Sequence, residues 1–226
     1  MVTIPEVVEE IIKNKPFIEE ALAEGVVNLS SLSRKIQPEI ESRVHKQVKL
    51  GAIVMALKRL TPSLNPQMDK SIRYMFNNLG DIIVRSNIID FTYRNSDSLI
   101  ERQKELFRLI DQRKNKDIFC TFSQGVYETT LVSSALIEKE IENIFREEFL
   151  ITKIKDLSSI TVNLPDRNQE ISGIYYFFFK KIAWAGVNIL EIVSTTHEFT
   201  FVLNDKDVDA AFSIVKNFKT IERVEY

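Results

Sequence analysis

From about residue 82 onward the hydrophobic period of this chain switches between two and 3.6 residues in a fixed order, and no other feature restricts its fold more tightly. Strand-like runs at 83–93, 118–122, 127–133 and 149–154 alternate with helical stretches at 98–113 and 136–147. The order is strand, helix, strand, strand, helix, strand. It then recurs, with strands at 160–164, 188–195, 198–203 and 223–226 and helices at 172–185 and 205–218. Two copies about 70 to 76 residues apart predict two split βαβ, ferredoxin-like units, an α+β class with tandem βαββαβ domains. The copies share pattern more than residues.

The first 60 residues read as helices. Segments 5–14 and 16–24 each open on a proline, and Gly25 stops the second. Ser30 or Ser31 is placed to cap a short helix through Ile36, with Pro38 starting another short helix or turn. A further helix at 49–60 sets Ile53, Val54, Ala56, Leu57 and Leu60 mostly on one face. Asn65-Pro66 and Gly80 bound one more, whose stripe of Met68, Ile72, Met75, Phe76 and Leu79 predicts packing between the N-terminal unit and the strand-forming region. The expected domains are therefore a helical unit at 1–62, a linking helix at 63–80, and two βαββαβ domains at 81–157 and 158–226.

Composition removes several function classes. Thirty Lys and Arg against 32 Asp and Glu leave no overall basic excess of the kind a non-specific nucleic-acid or anionic-membrane binder carries. The lone Cys120 lies in the apolar run Ile118 to Phe122, where a buried structural thiol is expected and no disulfide framework can form. No stretch approaches the ~18 apolar residues of a membrane helix, and the N-terminus lacks a basic segment followed by an apolar one, so a cytoplasmic location is expected. His45 and His197 are isolated in sequence and suggest no metal site. No nucleophile stands with a base, and no carboxylate pair sits beside a Gly-rich loop; catalytic residues, metal and cofactor are all expected to be absent.

The second copy carries a resemblance. Asn188-Ile189-Leu190-Glu191-Ile192-Val193-Ser194-Thr195-Thr196, followed by Glu198 to Leu203, resembles the second and third strands of the ACT domains that end aspartokinases. Ser172-Gly173-Ile174-Tyr175-Tyr176 resembles the family's turn into its first helix, with Ser172 where the family has Pro. Asp205 to Ala211 resembles the start of its second helix. The match covers nearly all of 158–226, whereas 81–157 is similar only in order and length and reads as a degenerate partner. Its strand-to-helix turn, Arg94 to Ser98, has no Gly, and Ser96 or Asp97 is expected as an ordinary N-cap.

What the resemblance implies is a small-effector site, commonly for an amino acid, between that turn and the start of strand two of a paired domain. Gly173, Ile174 and Asn188 are then the effector candidates, with Ser194 and Thr195 as polar neighbours. Physical chemistry offers a mechanism, since backbone N–H groups and the positive dipole end at a helix start hold carboxylates. The alternatives are that Gly173 merely starts a helix and that Asn188 is a turn residue. The aromatic run Tyr175 to Phe179 reads as core and domain interface. Aspartokinases open with a KFGG[ST] strand-loop; neither it nor a P-loop occurs here, so kinase chemistry by that route is excluded.

Residues 26–36 with the helix at 49–60 resemble a helix-turn-helix or winged-helix unit. Arg34, Lys35, Lys46, Lys49, Lys58 and Arg59 are the cations that would meet phosphates or base edges. The competing reading is a helical docking unit whose bases are solvated. The functional expectation is a non-catalytic regulator, a homodimer through its ACT domains, sensing an amino acid or similar effector and acting on transcription. The alternative is an interaction or regulatory subunit of an amino-acid biosynthetic enzyme with no ligand of its own.

Overall fold

A computed structural model describes residues 2–61, 72, 74–113, 117–166 and 168–218. The chain divides into two compact units, Met1–Lys70 and Ser71–Tyr226.

The first unit contains α1 (Ile4–Lys13), α2 (Pro16–Ala23), α3 (Leu29–Val44) and α4 (Leu50–Leu60). Thr3 and Glu6 close α1 with a reciprocal capping box. Val7, Val8, Ile11 and Ile12 of α1 then pack with Leu32, Ile36 and Ile40 of α3 and Ile53, Leu57 and Leu60 of α4 in one core. Two local expectations change. The cap of α3 is Asn28, whose Oδ1 accepts the Ser31 N–H at 3.0 Å, in place of Ser30 or Ser31. Pro38 lies inside α3 and does not start a new helix. Its missing donor is outweighed because Leu32, Ile36 and Ile40 recur every four residues and bury on both sides of it. No strand, and so no wing, occurs among the described residues 2–61.

The second unit is a six-stranded antiparallel sheet made of β1 (Ile82–Arg94), β2 (Cys120–Gln124), β3 (Glu128–Ser134), β4 (Leu150–Asn163), β5 (Ile189–Ser194) and β6 (Glu198–Asn204). Their spatial order is β2-β3-β1-β4-β6-β5. Helices α5 (Leu99–Gln112), α6 (Glu138–Ile144), α7 (Ile174–Trp184) and α8 (Val208–Phe218) fill the connections. The expected Asn65-Pro66 helix start and the expected strand at 223–226 lie outside the described residues. Helical residues 74–77 lead to Gly80, where a Cβ would come within 2.9 Å of the Asn163 Cβ. Only glycine allows that approach, and with it the 2.9 Å bond from Gly80 N–H to the Asn163 carbonyl.

Two strands are long and shared. The start of β1 pairs with the end of β4 (Ile82 with Val162), and the end of β1 with the start of β4 (Tyr93 with Leu150). Residues 157 and 158 fall inside β4. Each long strand turns its backbone once, at Asn87 and at Asp156, both with φ of 55°. Asn and Asp are the non-glycine residues that tolerate this conformation best.

Those two positions are 69 residues apart, and the same offset of 69 or 70 recurs throughout. Ile88 pairs with Ser134 as Leu157 pairs with Asn204. The hydroxyls of Thr92 and Thr130 are 3.3 Å apart, those of Thr161 and Thr200 2.8 Å. The turn bond from Gly125 N–H to the Glu128 carbonyl is repeated from Thr195 to Glu198, each at 2.8 Å. Strand alternation then divides the side chains. Ile89, Phe91 and Tyr93 meet Leu99 and Leu106 of α5 and Ile141 and Ile144 of α6, while Ile88, Val132, Leu157 and Val202 form a separate, smaller cluster. In the second half Phe178 of α7 packs on Phe199 and Phe218 at centroid distances of 5.5 and 5.0 Å.

Candidate functional site

Between β4 and α7, residues 164–166 and 168–173 fold back toward the β5–β6 turn, and a cleft of about 360 Å³ remains beside them. Asn168 holds the loop there. Its buried Nδ2 donates to the Pro165 carbonyl at 3.0 Å and to the Thr196 carbonyl at 2.8 Å. Gly173, with φ of 86°, turns the chain into α7 and contributes no side-chain cap to it. Gly173, Ile174 and Tyr175, at the start of the helix, line the cleft, with Ile174 buried.

Ser194 and Thr195, at the end of β5, form the opposite wall. The Tyr175 hydroxyl reaches across to the Ser194 hydroxyl at 2.9 Å, while its ring rests 4.8 Å from that of Phe199. Four of the five expected effector residues, Gly173, Ile174, Ser194 and Thr195, are thus brought together. Asn188 is not among them. It precedes β5, at the opposite end of that strand from Ser194, roughly 20 Å away at about 3.3 Å per residue. The sequence reading missed Asn168, Gln169 and Ile171, which also line the cleft. Their signal was the turn-forming run Pro165-Asp166 followed by Asn168, residues that fold a loop back on itself.

A second, more open depression of about 580 Å³ lies between Tyr74, Asn78, Asn163 and His197. Asp166 is 3.8 Å from His197 Nδ1 there, both exposed, so His197 is a surface residue beside a carboxylate.

The first half arranges the corresponding place differently. Only residues 95–98 separate β1 from α5. Ser96 and Ser98 donate to the Glu148 carboxylate at 2.6 and 2.7 Å, and the Leu99 N–H donates to the Ser96 Oγ at 3.2 Å. The N-cap of α5 is Ser98, in place of the expected Ser96 or Asp97; Ser96 stands two residues earlier and supports the helix start through its bond from Leu99. The Glu148 side chain is 2% exposed, with Arg102 Nε at 3.8 Å. An internal carboxylate holds the start of α5.

Perturbed groups lie outside the cleft. Burial, then the charge of Glu191, pushes the Asp90 carboxyl up to about 6, with Thr92 opposing. Burial raises the half-buried Cys120 thiol to about 11, as an unreactive structural thiol requires. Among the described residues no three His, Cys, Asp or Glu side chains gather as a metal site would need. No described helix is long and apolar enough to cross a membrane.

In the first unit the six expected cations are all exposed. Lys49 and the pair Lys58 and Arg59 sit at opposite ends of α4, Arg34 and Lys35 on α3, and Lys46 in the turn between them.

No protein-family model matches this sequence, and no curated protein does. Solved structures show a distant likeness. The regulatory subunit of aspartate kinase from Thermus thermophilus, ligand free, superposes with a TM-score of 0.49 at 11% identity over 62% of this chain and 97% of its own. The aspartate kinase of Clostridium acetobutylicum gives 0.49 at 14%, over 61% of this chain and 34% of its own. A putative C-terminal regulatory domain of aspartate kinase from Porphyromonas gingivalis gives 0.46 at 10%, over 62% and 96%. At such identities and scores the likeness decides no function.

Proposed function

We propose that residues 71–226 are a pair of interlocked ferredoxin-like units of ACT type that bind a small effector in the second half and regulate, without catalysing. The repeated 69- or 70-residue register supports the pair. The observation that carries the binding reading is the cleft itself, where the uncapped start of α7 faces the hydroxyls of Ser194 and Thr195. Backbone donors and the positive end of a helix favour a carboxylate, and hydroxyls supply both donors and acceptors for a polar neighbour such as an amino group. An amino acid has both groups at the right size for a cleft of this volume.

Asn188 belongs to this reading only through a second copy, whose strand start would approach the cleft in a homodimer. Isothermal calorimetry of the full chain against the twenty amino acids tests the proposal. Binding by one of them, lost in Ser194→Ala/Thr195→Val, supports it. No heat from any of the twenty, in a folded sample, removes it. The Tyr175 to Ser194 bond across the cleft is the observation that favours the other reading, an interaction subunit without a ligand.

A further inference from the structure

The charge of the first unit is divided sharply between its helices. Residues 2–28, with α1 and α2, carry six carboxylates and two lysines, whereas residues 29–61, with α3 and α4, carry seven cations and two carboxylates. Both of those carboxylates are already engaged. Glu39 binds Lys15 at 3.3 Å and Arg43 at 2.7 Å, and Glu41 accepts the Val48 N–H at 2.8 Å. Arg34, Lys35, Lys46, Lys49, Lys58 and Arg59 have no ion-pair partner among the described residues, and all are exposed. Such charge, left without internal counterions, suits a polyanion.

The shape of α4 narrows the choice. Ile53, Ala56, Leu57 and Leu60 are buried, and Gly51, Ala52, Met55, Lys58 and Arg59 are exposed. At 100° per residue the exposed five fall within one arc of roughly 120°. Small residues lead that face, with open space at the Gly51 Cα, so the helix backbone can approach a flat or grooved partner closely. Lys49, the residue that precedes the helix, and Lys58 on that face are nine residues or about 13 Å apart along the axis. The major groove of duplex DNA is about 12 Å wide and walled by phosphates on both sides.

We infer that the outward face of α4, with Lys46 and Lys49 at one end and Lys58 and Arg59 at the other, docks in the major groove of duplex DNA. The cations meet phosphates of the two groove walls, and Gly51, Ala52 and Met55 face the base edges. An exposed Met in that position offers apolar contact, which suits a thymine methyl. This inference concerns the first unit alone and does not depend on the effector cleft.

The test is fluorescence anisotropy of the full chain on a labelled 26-base-pair duplex of mixed sequence, as a function of salt. Binding is expected to weaken with a log–log slope of about −3 to −4, near 0.9 per neutralised phosphate. Lys49→Ala/Lys58→Ala/Arg59→Ala should bind ~10- to 100-fold more weakly and flatten the slope by about 2 to 3. Lys15→Ala, whose cation serves Glu39, should bind like the parent. Circular dichroism checks that the triple variant is folded; if it is not, the single variant Lys58→Glu takes its place, with a loss of binding still expected. No binding at 50 mM salt would overturn the inference, as would a folded variant that binds like the parent. So would a poly-glutamate of matched length that displaces the duplex on equal terms, since the face would then serve an acidic protein.

Discussion

The two halves of the sheet unit follow the same register yet treat the start of their first helix in opposite ways. In the first half four loop residues bring α5 directly onto Glu148, whose carboxylate takes the hydroxyls of Ser96 and Ser98. In the second half ten residues arch away from α7 and leave a cleft. A helix start attracts negative charge in both cases. What differs is that the chain places its own carboxylate there in the first half and a cleft in the second.

Shared strands should make the halves one cooperative body, and this is the largest effect to look for. Phe199 and Phe91 are each fully buried, one in each half. Phe199→Ala or Phe91→Ala should cost about 3–5 kcal/mol. Because β1 and β4 pair along their whole lengths, the loss in either variant should speed hydrogen exchange in β2 and β3 as much as in β5 and β6. Exchange that rises only in the mutated half would show two independent bodies and break the comparison at its base.

Glu148 tests the claim that the first half supplies its own anion. Glu148→Ala removes the buried carboxylate that accepts the Ser96 and Ser98 hydroxyls and lies beside Arg102 Nε, at a cost of about 2–3 kcal/mol in urea unfolding. Glu148→Gln, which keeps the acceptor but not the charge, should lose roughly half of that. Equal losses in the two variants would mean that shape, and not charge, holds the start of α5.

A smaller difference between the halves is read by pH. Asp90 corresponds, at the offset of 69, to Ser159, whose buried Oγ has no hydrogen-bond partner among the described residues. With its carboxyl raised from 3.8 to about 6, chiefly by burial, the folded state holds a proton that the unfolded chain has lost. Stability is fully kept below pH 4 and falls as pH rises through the interval from about 4 to 6. Asp90→Ser should remove most of that decline and raise stability at pH 7 by about 1–2 kcal/mol, after allowance for screening. Glu191, raised by burial and then by Glu128, leaves a residual slope of the same sign. A parent protein whose urea midpoint is flat from pH 4 to 7 would refute the assignment.

The alternating periods placed the helices and the other strands of the second unit, because period two and period 3.6 bury different faces, but they divided β4 into separate strands at 149–154 and 160–164 with a domain boundary between them. The strand sharing was hidden. Asn87 and Asp156 look like ordinary surface residues in a sequence, and only their left-handed backbone lets each strand continue past its kink. Around the cleft, the positions of Gly173, Ser194 and Thr195 were legible because a glycine before a helix and a polar strand end are local signals. Asn188, expected from the start of strand two of a paired domain, lies in this chain at the end of β5 remote from Ser194. Asn168 makes its two bonds to carbonyls, one of them 28 residues away, and no local pattern reports such a partner.

The smallest expected effect belongs to Tyr175, where the first half has Ile100 as the second residue of its helix. The Tyr175 residue is exposed and its hydroxyl bonds across the cleft to Ser194, so Tyr175→Phe should cost less than ~1 kcal/mol in stability. The ring keeps its packing on Phe199 and Phe179, at 4.8 and 6.3 Å, and the cleft walls stay in place. What changes is the tie between the walls. Amide exchange at Thr195 and Thr196 should quicken in the variant while exchange along β6 stays as it was. If a ligand has to break that tie to enter, the same variant should bind it up to about fivefold more tightly, the equivalent of 1 kcal/mol. Unchanged exchange at the turn would mean that Asn168 alone holds the cleft closed, and Asn168→Ala would then be the substitution that separates the two halves' behaviour.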